Sequence, residues 1–379
     1  MASLKAKNVV KYCLQTIAVC ITISFLLACL TPFVNPVHSA IFTLLSLGFP
    51  VLLLLMLIQL FVFLFINKKL FLFSLLILAL GYKNIVSVFA FHYNSTKELP
   101  NNKTLKILSW NVDGFIYEIY PDKSDKNKRQ KMMKLIKASN ADILCLQDNT
   151  FTDEHLNVPD DIQDLEKMGY TYNVISSDYC TNNNSRKYGT GIFSKYPITR
   201  SGKTNYNGIN YESLLFADIM INNKPIRVFT THLRSMVLKY QEYFPEEDYK
   251  LMQEDTADVF YKSVIHKLIY FDKKHTEQAL VAKQLMDTTK IPFIFCADLN
   301  SVPSSYVYHH IAAGLKDVFL QTGWGFGQTY SELSPTLRID VMLTTPDIKA
   351  LNYTCPKLNL SDHYPIKATL MLPENYNSK

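Results

Sequence analysis

Residues 1–92 of this 379-residue chain contain no aspartate, no glutamate and no arginine, and their formal charge comes from six lysines alone. Beyond residue 92, the remaining 33 basic residues meet 33 acidic ones, so the whole +6 excess sits among the apolar runs of the first part. A neutral remainder lacks the basic surface that offsets phosphate charge, which argues against bulk nucleic-acid binding but does not exclude a local basic groove. The seven cysteines show no metal-ligand spacing. Cys13, Cys20 and Cys29 lie in or beside the first apolar run, Cys180 is in a polar loop and Cys355 is near the end. Cys145 and Cys296 fall within apolar strands and are expected as buried thiols. A serine nucleophile elbow, a Walker loop, an HExxH helix and an internal repeat are also missing.

Three apolar stretches fill the first part, at about 12–33, 40–66 and 70–92. Each exceeds the roughly 20 residues a bilayer core demands. A soluble helix as long and apolar as 40–66 would be unusual, and Lys83, Asn84 and His92 interrupt the third run. The sequence therefore predicts a membrane anchor of three transmembrane helices over 1–92, a linker at 93–104 and a separate domain at 105–379. Lys5, Lys7 and Lys11, together with Lys68 and Lys69 in the second connection, are expected on the cytoplasmic side. Three crossings then place the domain on the far side of an inner membrane. "LLAC" at 26–29 also has the look of a lipoprotein cleavage box ending in Cys29, but the apolar run continues past it.

The domain alternates strand-like and helix-like runs. Strands are predicted at 105–112, 141–148, 188–194, 213–221, 226–233, 292–298, 338–345 and 363–372. Helices are predicted at 125–140, with Met132, Met133 and Ile136 on one side, and through most of 237–288. Interleaving of this kind implies mixed α/β layers around a buried sheet. "YQEYFPEED" (240–248) reads as a solvated acidic segment, His309 and His310 as surface or packing residues near the start of a helix, and His275 carries no assigned role.

Polar side chains recur where the apolar strands end: Asn111, Gln147 and Asp148, His232, Asp298 and Asn300, Asp340, and Asp362 with His363. A single strand-end carboxylate is usually a cap or turn, whereas many at one end of a sheet make a site. The set suits metal-assisted phosphoryl transfer. Mg²⁺ takes oxygen ligands, a histidine held by a carboxylate is a competent base near neutral pH, and Asn or a second His can hold phosphate oxygens.

"SWNV" (109–112), "DILCLQD" (142–148), "GTGIFSKYPI" (189–198), "TTHL" (230–233), "ADLN" (297–300), "RIDVML" (338–343) and "SDHYPI" (361–366) occur in this order. Together they resemble the endonuclease/exonuclease/phosphatase superfamily of DNase I-like phosphodiesterases, and especially its membrane-anchored Bacteroidetes-type members. The resemblance implies a four-layer α/β/β/α sandwich with the site at one edge of two sheets, and Mg²⁺ or Mn²⁺ as cofactor. Asn111, Asp148 and Asp362 would lie at the metal. His232 would contact the scissile phosphate or the leaving oxygen, and Asp298 and Asn300 would position nucleophile, phosphate and metal. His363 would be the base, oriented by Asp340. Two departures stand out: Asp148 replaces the family's metal-binding glutamate, and Ser301 replaces the aspartate that often follows the asparagine. The expected partner is a phosphodiester, a phospholipid headgroup or another envelope substrate; nucleic acid is not expected, and no protein partner is inferred. A weak or inactive binding protein and an extracytoplasmic nuclease are the alternative readings.

Overall fold

The computed structural model describes residues 2–92, 104–116, 126–152, 161–180, 186–206, 212–236 and 264–373. Nearly all of the expected linker at 93–104, and the whole acidic segment at 240–248, lie outside these residues.

Four helices come first: α1 (Ala2–Ala28), α2 (Ile41–Ile66), α3 (Lys68–Leu80) and α4 (Tyr82–Val88). The part of α1 from Asn8 and the whole of α2 are long and apolar enough to cross a membrane. The third apolar run is not one helix. Instead α3 and α4 meet at a 64° bend and would make a third span only as a broken pair. Gly81 sits at that bend, where an added Cβ would come within 2.7 Å of the Phe25 ring. Glycine thus lets the turn close against α1. Phe25, Phe49, Met56, Ile77, Leu78 and Val88 form the shared apolar core of the four helices. Strand β1 (Ala90–Phe91) follows directly and pairs with β12 (Trp324–Gly325).

Two larger sheets follow. One runs in the order β14 (Lys349–Thr354), β15 (Ile366–Met371), β2 (Thr104–Asn111), β3 (Ile143–Thr152), β6 (Arg186–Ser194) and β4 (Tyr172–Ile175), with β5 (Tyr179–Cys180) paired to β6. The other runs β11 (Lys316–Asp317), β13 (Asp340–Thr344), β10 (Phe293–Asp298), β9 (Lys224–His232), β8 (Ser213–Ile221) and β7 (Ile198–Asn205). Helices α5 (Lys126–Ser139) and α6 (Asp161–Lys167) cover the first sheet; α7 (Val264–Asp287) and α8 (Tyr306–Ile311) cover the second. The short α9 (Val318–Thr322) packs beside β13 and β14. This is the expected four-layer sandwich.

Strand periodicity explains the layers. Leu105 and Ile107, Ile143 and Cys145, and Ile294 and Cys296 face inward and fill the space between the sheets. Their alternates Leu108 and Trp110, and Leu144 and Leu146, pack with Met132, Met133 and Ile136 of α5. Phe293, Phe295 and Ala297 pack with Ala279, Ala282 and Met286 of α7. Burial on both faces is why these strands read as continuous apolar runs. The last strand starts at Ile366, so His363 stands in the loop before it.

Candidate active site

Where the core between the sheets runs out, the same inward-facing rows turn polar. Ile107 and Ser109 lead to Asn111, Ile143 and Cys145 to Gln147, Ile226 and Val228 to His232, and Ile294 and Cys296 to Asp298. Asp340 precedes inward-facing Met342 in the same way. Register aligns these ends: Asp298 is paired with His232 on one side and with Asp340 on the other. Asn111 is paired with Gln147 in the opposite sheet. The site is thus the polar rim of the inter-sheet core.

One layer beneath it, fully buried Gln147 donates from Nε2 to Ser109 Oγ (3.0 Å) and Thr230 Oγ1 (2.9 Å), tying the two sheets together. Asn111 makes the same connection at the rim, donating from Nδ2 to Asp298 Oδ2 at 3.0 Å. Asp298 is fully buried and also lies 3.5 Å from His232 Nε2 and 3.6 Å from His363 Nε2. Its Oδ1 accepts the Asn300 N–H at 2.9 Å, and the Asn300 Nδ2 donates to the Leu233 carbonyl at 2.8 Å. Asn300 therefore bends the chain, with φ of 46°, and pins the segment that follows His232.

His363 is held from several directions. Its Nδ1 lies 2.9 Å from Asp340 Oδ2, its carbonyl accepts from Trp110 Nε1, and Tyr330 packs edge-on against its ring. Burial pulls its pKa down, but the Asp340 and Asp298 charges and the bond to Asp340 outweigh that and raise it well above the ordinary histidine value. The ring nitrogen facing the rim, Nε2, is 4.0 Å from Asp362 Oδ1.

Asp148 reaches the rim through an irregularity. The pairing of β3 with β6 shifts register between Leu146 and Asn149, and Asp148 has φ of 47°. A bulge of this kind re-aims a side chain that strict alternation would send to the other face, and Asp is among the residues that tolerate the left-handed region. Burial raises the Asp148 pKa; His232 opposes the rise and Asp362 adds to it.

One acid at this rim had no place in the sequence reading. Asp113 follows Asn111 in a tight turn, its N–H bonded to Asn111 Oδ1 at 3.1 Å. Asp113, Gly114 and Phe115 all have positive φ, and a Cβ on Gly114 would meet Thr150 Oγ1 at 2.9 Å. Although Asp113 reaches solvent, its carboxyl is pushed up to about 7, by desolvation first and then by the Asp362 and Asp148 charges. "DG" after a strand reads as a turn; the signal that could have found it is its spacing of two from Asn111.

The structure therefore brings Asn111, Asp148, His232, Asp298, Asn300, Asp340, Asp362 and His363 to one rim. Among the described residues, Asp298, Asp340 and His363 each offer a ligand atom within 4.8 Å of the others. These three are already bonded to one another or to Asn111. Asp113, Asp148 and Asp362 lie near enough at the outer rim for the Asp362 charge to raise the pKa of the other two, while among the described residues the ligand atoms gathered within 4.8 Å are those of Asp298, Asp340 and His363. All-carboxylate oxygen donors suit a hard divalent cation such as Mg²⁺ or Mn²⁺, so the donor set fits the cofactor expected from the sequence.

The profile of the Endonuclease/Exonuclease/phosphatase family matches residues 108–363, and that of a domain of unknown function matches residues 11–88. No curated protein matches the chain. Similar solved structures include an endonuclease/exonuclease/phosphatase from Beutenbergia cavernae (16% identity, TM-score 0.49, covering 72% of each chain). Another, from Bacteroides vulgatus, is 15% identical with a TM-score of 0.49 and covers 71% of this chain and 99% of its own. The mannosyl-6-phosphatase from Bacteroides thetaiotaomicron is 12% identical with a TM-score of 0.46, covering 71% of this chain and 100% of its own.

Proposed function

The chain belongs to the endonuclease/exonuclease/phosphatase family, and from that premise we propose that it is a membrane-anchored, divalent-metal-dependent hydrolase of phosphodiesters, acting on a substrate presented at the bilayer surface outside the cytoplasm. The observation that carries the reading is His363. Its Nδ1 is engaged by Asp340 at 2.9 Å while its Nε2 faces Asp298 and Asp362 at the rim.

In the reaction, Nε2 of His363 takes a proton from water as the water oxygen bonds to phosphorus. Asp340 stabilises the imidazolium that results. The bond from phosphorus to the leaving oxygen breaks in line, and His232, beside Asp298, hydrogen-bonds the phosphate or delivers a proton to the leaving oxygen. Asn111 and Asn300 fix Asp298 and the His232–Leu233 segment, so these groups act from set positions. Asp113, Asp148 and Asp362 would hold the cation, which when bound would supply positive charge against the phosphate oxygens and against the carboxylates around His363.

The substrate class is supported by where the site sits. Asn300 opens directly onto 301–305, and that segment rests on the ends of the apolar helices. A phosphodiester at the surface of a bilayer, such as a phospholipid headgroup, is the substrate that this closeness to the apolar helices favours. A binding protein without turnover is the second reading; it draws on Asp148, one methylene shorter than the family's glutamate.

Full-length protein in lipid nanodiscs, stripped of metal, is tested on an aryl phosphodiester with Mg²⁺ or Mn²⁺ restored, beside His363→Ala and Asp148→Glu. Metal-dependent turnover lost in His363→Ala is the expected result. Turnover by Asp148→Glu alone would favour the binding-protein reading, and metal-independent turnover by His363→Ala would overturn the assignment of the base.

A further inference from the structure

Residues 301–305 follow Asn300 immediately, and Ser301, Ser304 and Ser305 are buried. Their partners come from two directions. From the apolar helices, Thr31 Oγ1 donates to the Ser304 carbonyl (2.6 Å) and Ser87 Oγ to the Pro303 carbonyl (3.0 Å). Ser304 Oγ in return donates to the Ser46 carbonyl of α2 (2.6 Å). From α7, His275 Nδ1 lies 3.1 Å from Ser301 Oγ, and the other ring nitrogen lies 2.6 Å from the Arg234 carbonyl. Only a donor can face a carbonyl, so His275 carries its proton on Nε2 and accepts from Ser301. Complete burial, which lowers its pKa to about 4, keeps the ring neutral. His275 thereby links the segment after Asn300 to the segment after His232.

That helix is itself fastened to the anchor. Thr43 Oγ1, at the start of α2, donates to Asp272 Oδ2 at 2.6 Å, and Asp272 is three residues before His275 on α7. A third connection reaches Asp340. Fully buried Arg338, two residues before it, donates from Nη2 to the Ser87 carbonyl (2.9 Å) and pairs through Nη1 with Asp317 (2.7 Å). Ser87 thus bonds with its hydroxyl to the segment following Asp298 and with its carbonyl to the segment preceding Asp340.

We propose that the apolar helices are a positioning element of the active site: Thr31, Thr43 and Ser87 brace the segments that carry Asp298, Asn300 and Asp340, and His275 extends the brace to the His232 segment. This rests on the catalytic reading of those four residues. None of the bracing groups touches substrate. They set the spacing of the groups that do, so the enzyme works at full rate only with its own anchor docked. A soluble domain released from the helices would lose these partners.

The test uses full-length protein in nanodiscs. Ser87→Ala, Thr43→Val and Ser304→Ala are compared with wild type and with Thr43→Ser, which keeps the hydroxyl. Hydrogen exchange is read over 299–305 and 336–341, with 214–220 in β8 as the distant reference, and kcat and KM are measured on a soluble aryl phosphodiester. Ser87→Ala, which removes the hydroxyl bonded to Pro303 but keeps the carbonyl that Arg338 uses, is expected to speed exchange in 299–305 and to leave 336–341 and 214–220 unchanged. Misplacing catalytic groups without removing substrate contacts should lower kcat about tenfold while KM stays within about twofold. Thr43→Val should loosen 299–305 and Thr43→Ser should match wild type. Unchanged exchange in an active enzyme would overturn the brace, as would exchange that rises everywhere at once. A wild type without phosphoesterase activity whose 299–305 exchange still responds to Ser87→Ala would overturn the catalytic reading and leave the brace standing.

Discussion

Asp340 Oδ2, 2.9 Å from His363 Nδ1, would set which ring nitrogen bears the proton, and its charge would offset the one that arises when the ring is protonated. Asp340→Asn keeps the shape and removes the charge, so the other ring nitrogen can become the protonated one. A carboxylate-to-amide change behind a catalytic histidine costs about 10⁴-fold in kcat elsewhere, and a loss of that order with KM little changed is expected here, measured on the aryl phosphodiester. Asp113→Ala is expected to raise the Mg²⁺ concentration needed for half-maximal activity, since it takes one of three carboxylates from the outer group; an unchanged metal titration would remove Asp113 from it. Asn111, His232, Asp298 and Asp340 were legible because each is a polar break at the end of an apolar row. Asp113 was hidden in a turn dipeptide. His275 was hidden because a helix spreads its buried face over every third or fourth position, so one polar residue on that face leaves no local mark.

Among the elements, the strands that the sequence concealed are those with a neighbour on one side only. Ile198–Asn205, Lys349–Thr354 and Tyr172–Ile175 each end a sheet, and "ITRSGKTN" is mostly solvent-exposed. Edge strands bury little and carry charge, so the apolar runs that mark central strands are absent. Helix α7 meets the N-terminal helices through a buried carboxyl, that of Asp272. Burial raises the Asp272 pKa to about 6 from its model-compound value of 3.8, while the Thr43 hydroxyl works against the rise. The folded state therefore disfavours the ionised form. Stability is fully present below about pH 4 and declines as pH rises to about 6, by about 3 kcal/mol in all. Asp272→Asn keeps an oxygen to accept from Thr43 and cannot ionise. Its thermal midpoint in nanodiscs should match wild type near pH 4 and exceed it at pH 7; a variant less stable at pH 7 would show that the ionised carboxylate contributes to the contact.

For the molecule as a whole, the contacts that seat the domain on its helices also order their ends. Thr31 lies just after α1, Thr43 near the start of α2, and Ser87 near the end of α4, and all three bond to the domain or its covering helix. From Thr43 to Ile66, α2 is about 35 Å long, enough to traverse the roughly 30 Å hydrocarbon core. From Lys68 the chain comes back to Ser87, which bonds to the domain, through α3 and α4, whose residues rise at most about 30 Å and less across the 64° bend. Gly81 bends that path, so the pair is either one broken span or a loop that enters and leaves by one face. Two crossings would leave the domain on the side of the N-terminus, whereas a return through the same depth makes three. With Lys68 and Lys69 at the distal turn and Lys5, Lys7 and Lys11 near the start of α1, the positive-inside tendency predicts both distal ends in the cytoplasm. Side-reporting fusions placed after Asn67 and after Lys379 are expected to give a cytoplasmic signal at the first and an extracytoplasmic signal at the second. Two cytoplasmic signals would mean that α3 and α4 enter and leave the membrane by one face. The rim carrying His363 would then meet only the lipids of the inner leaflet.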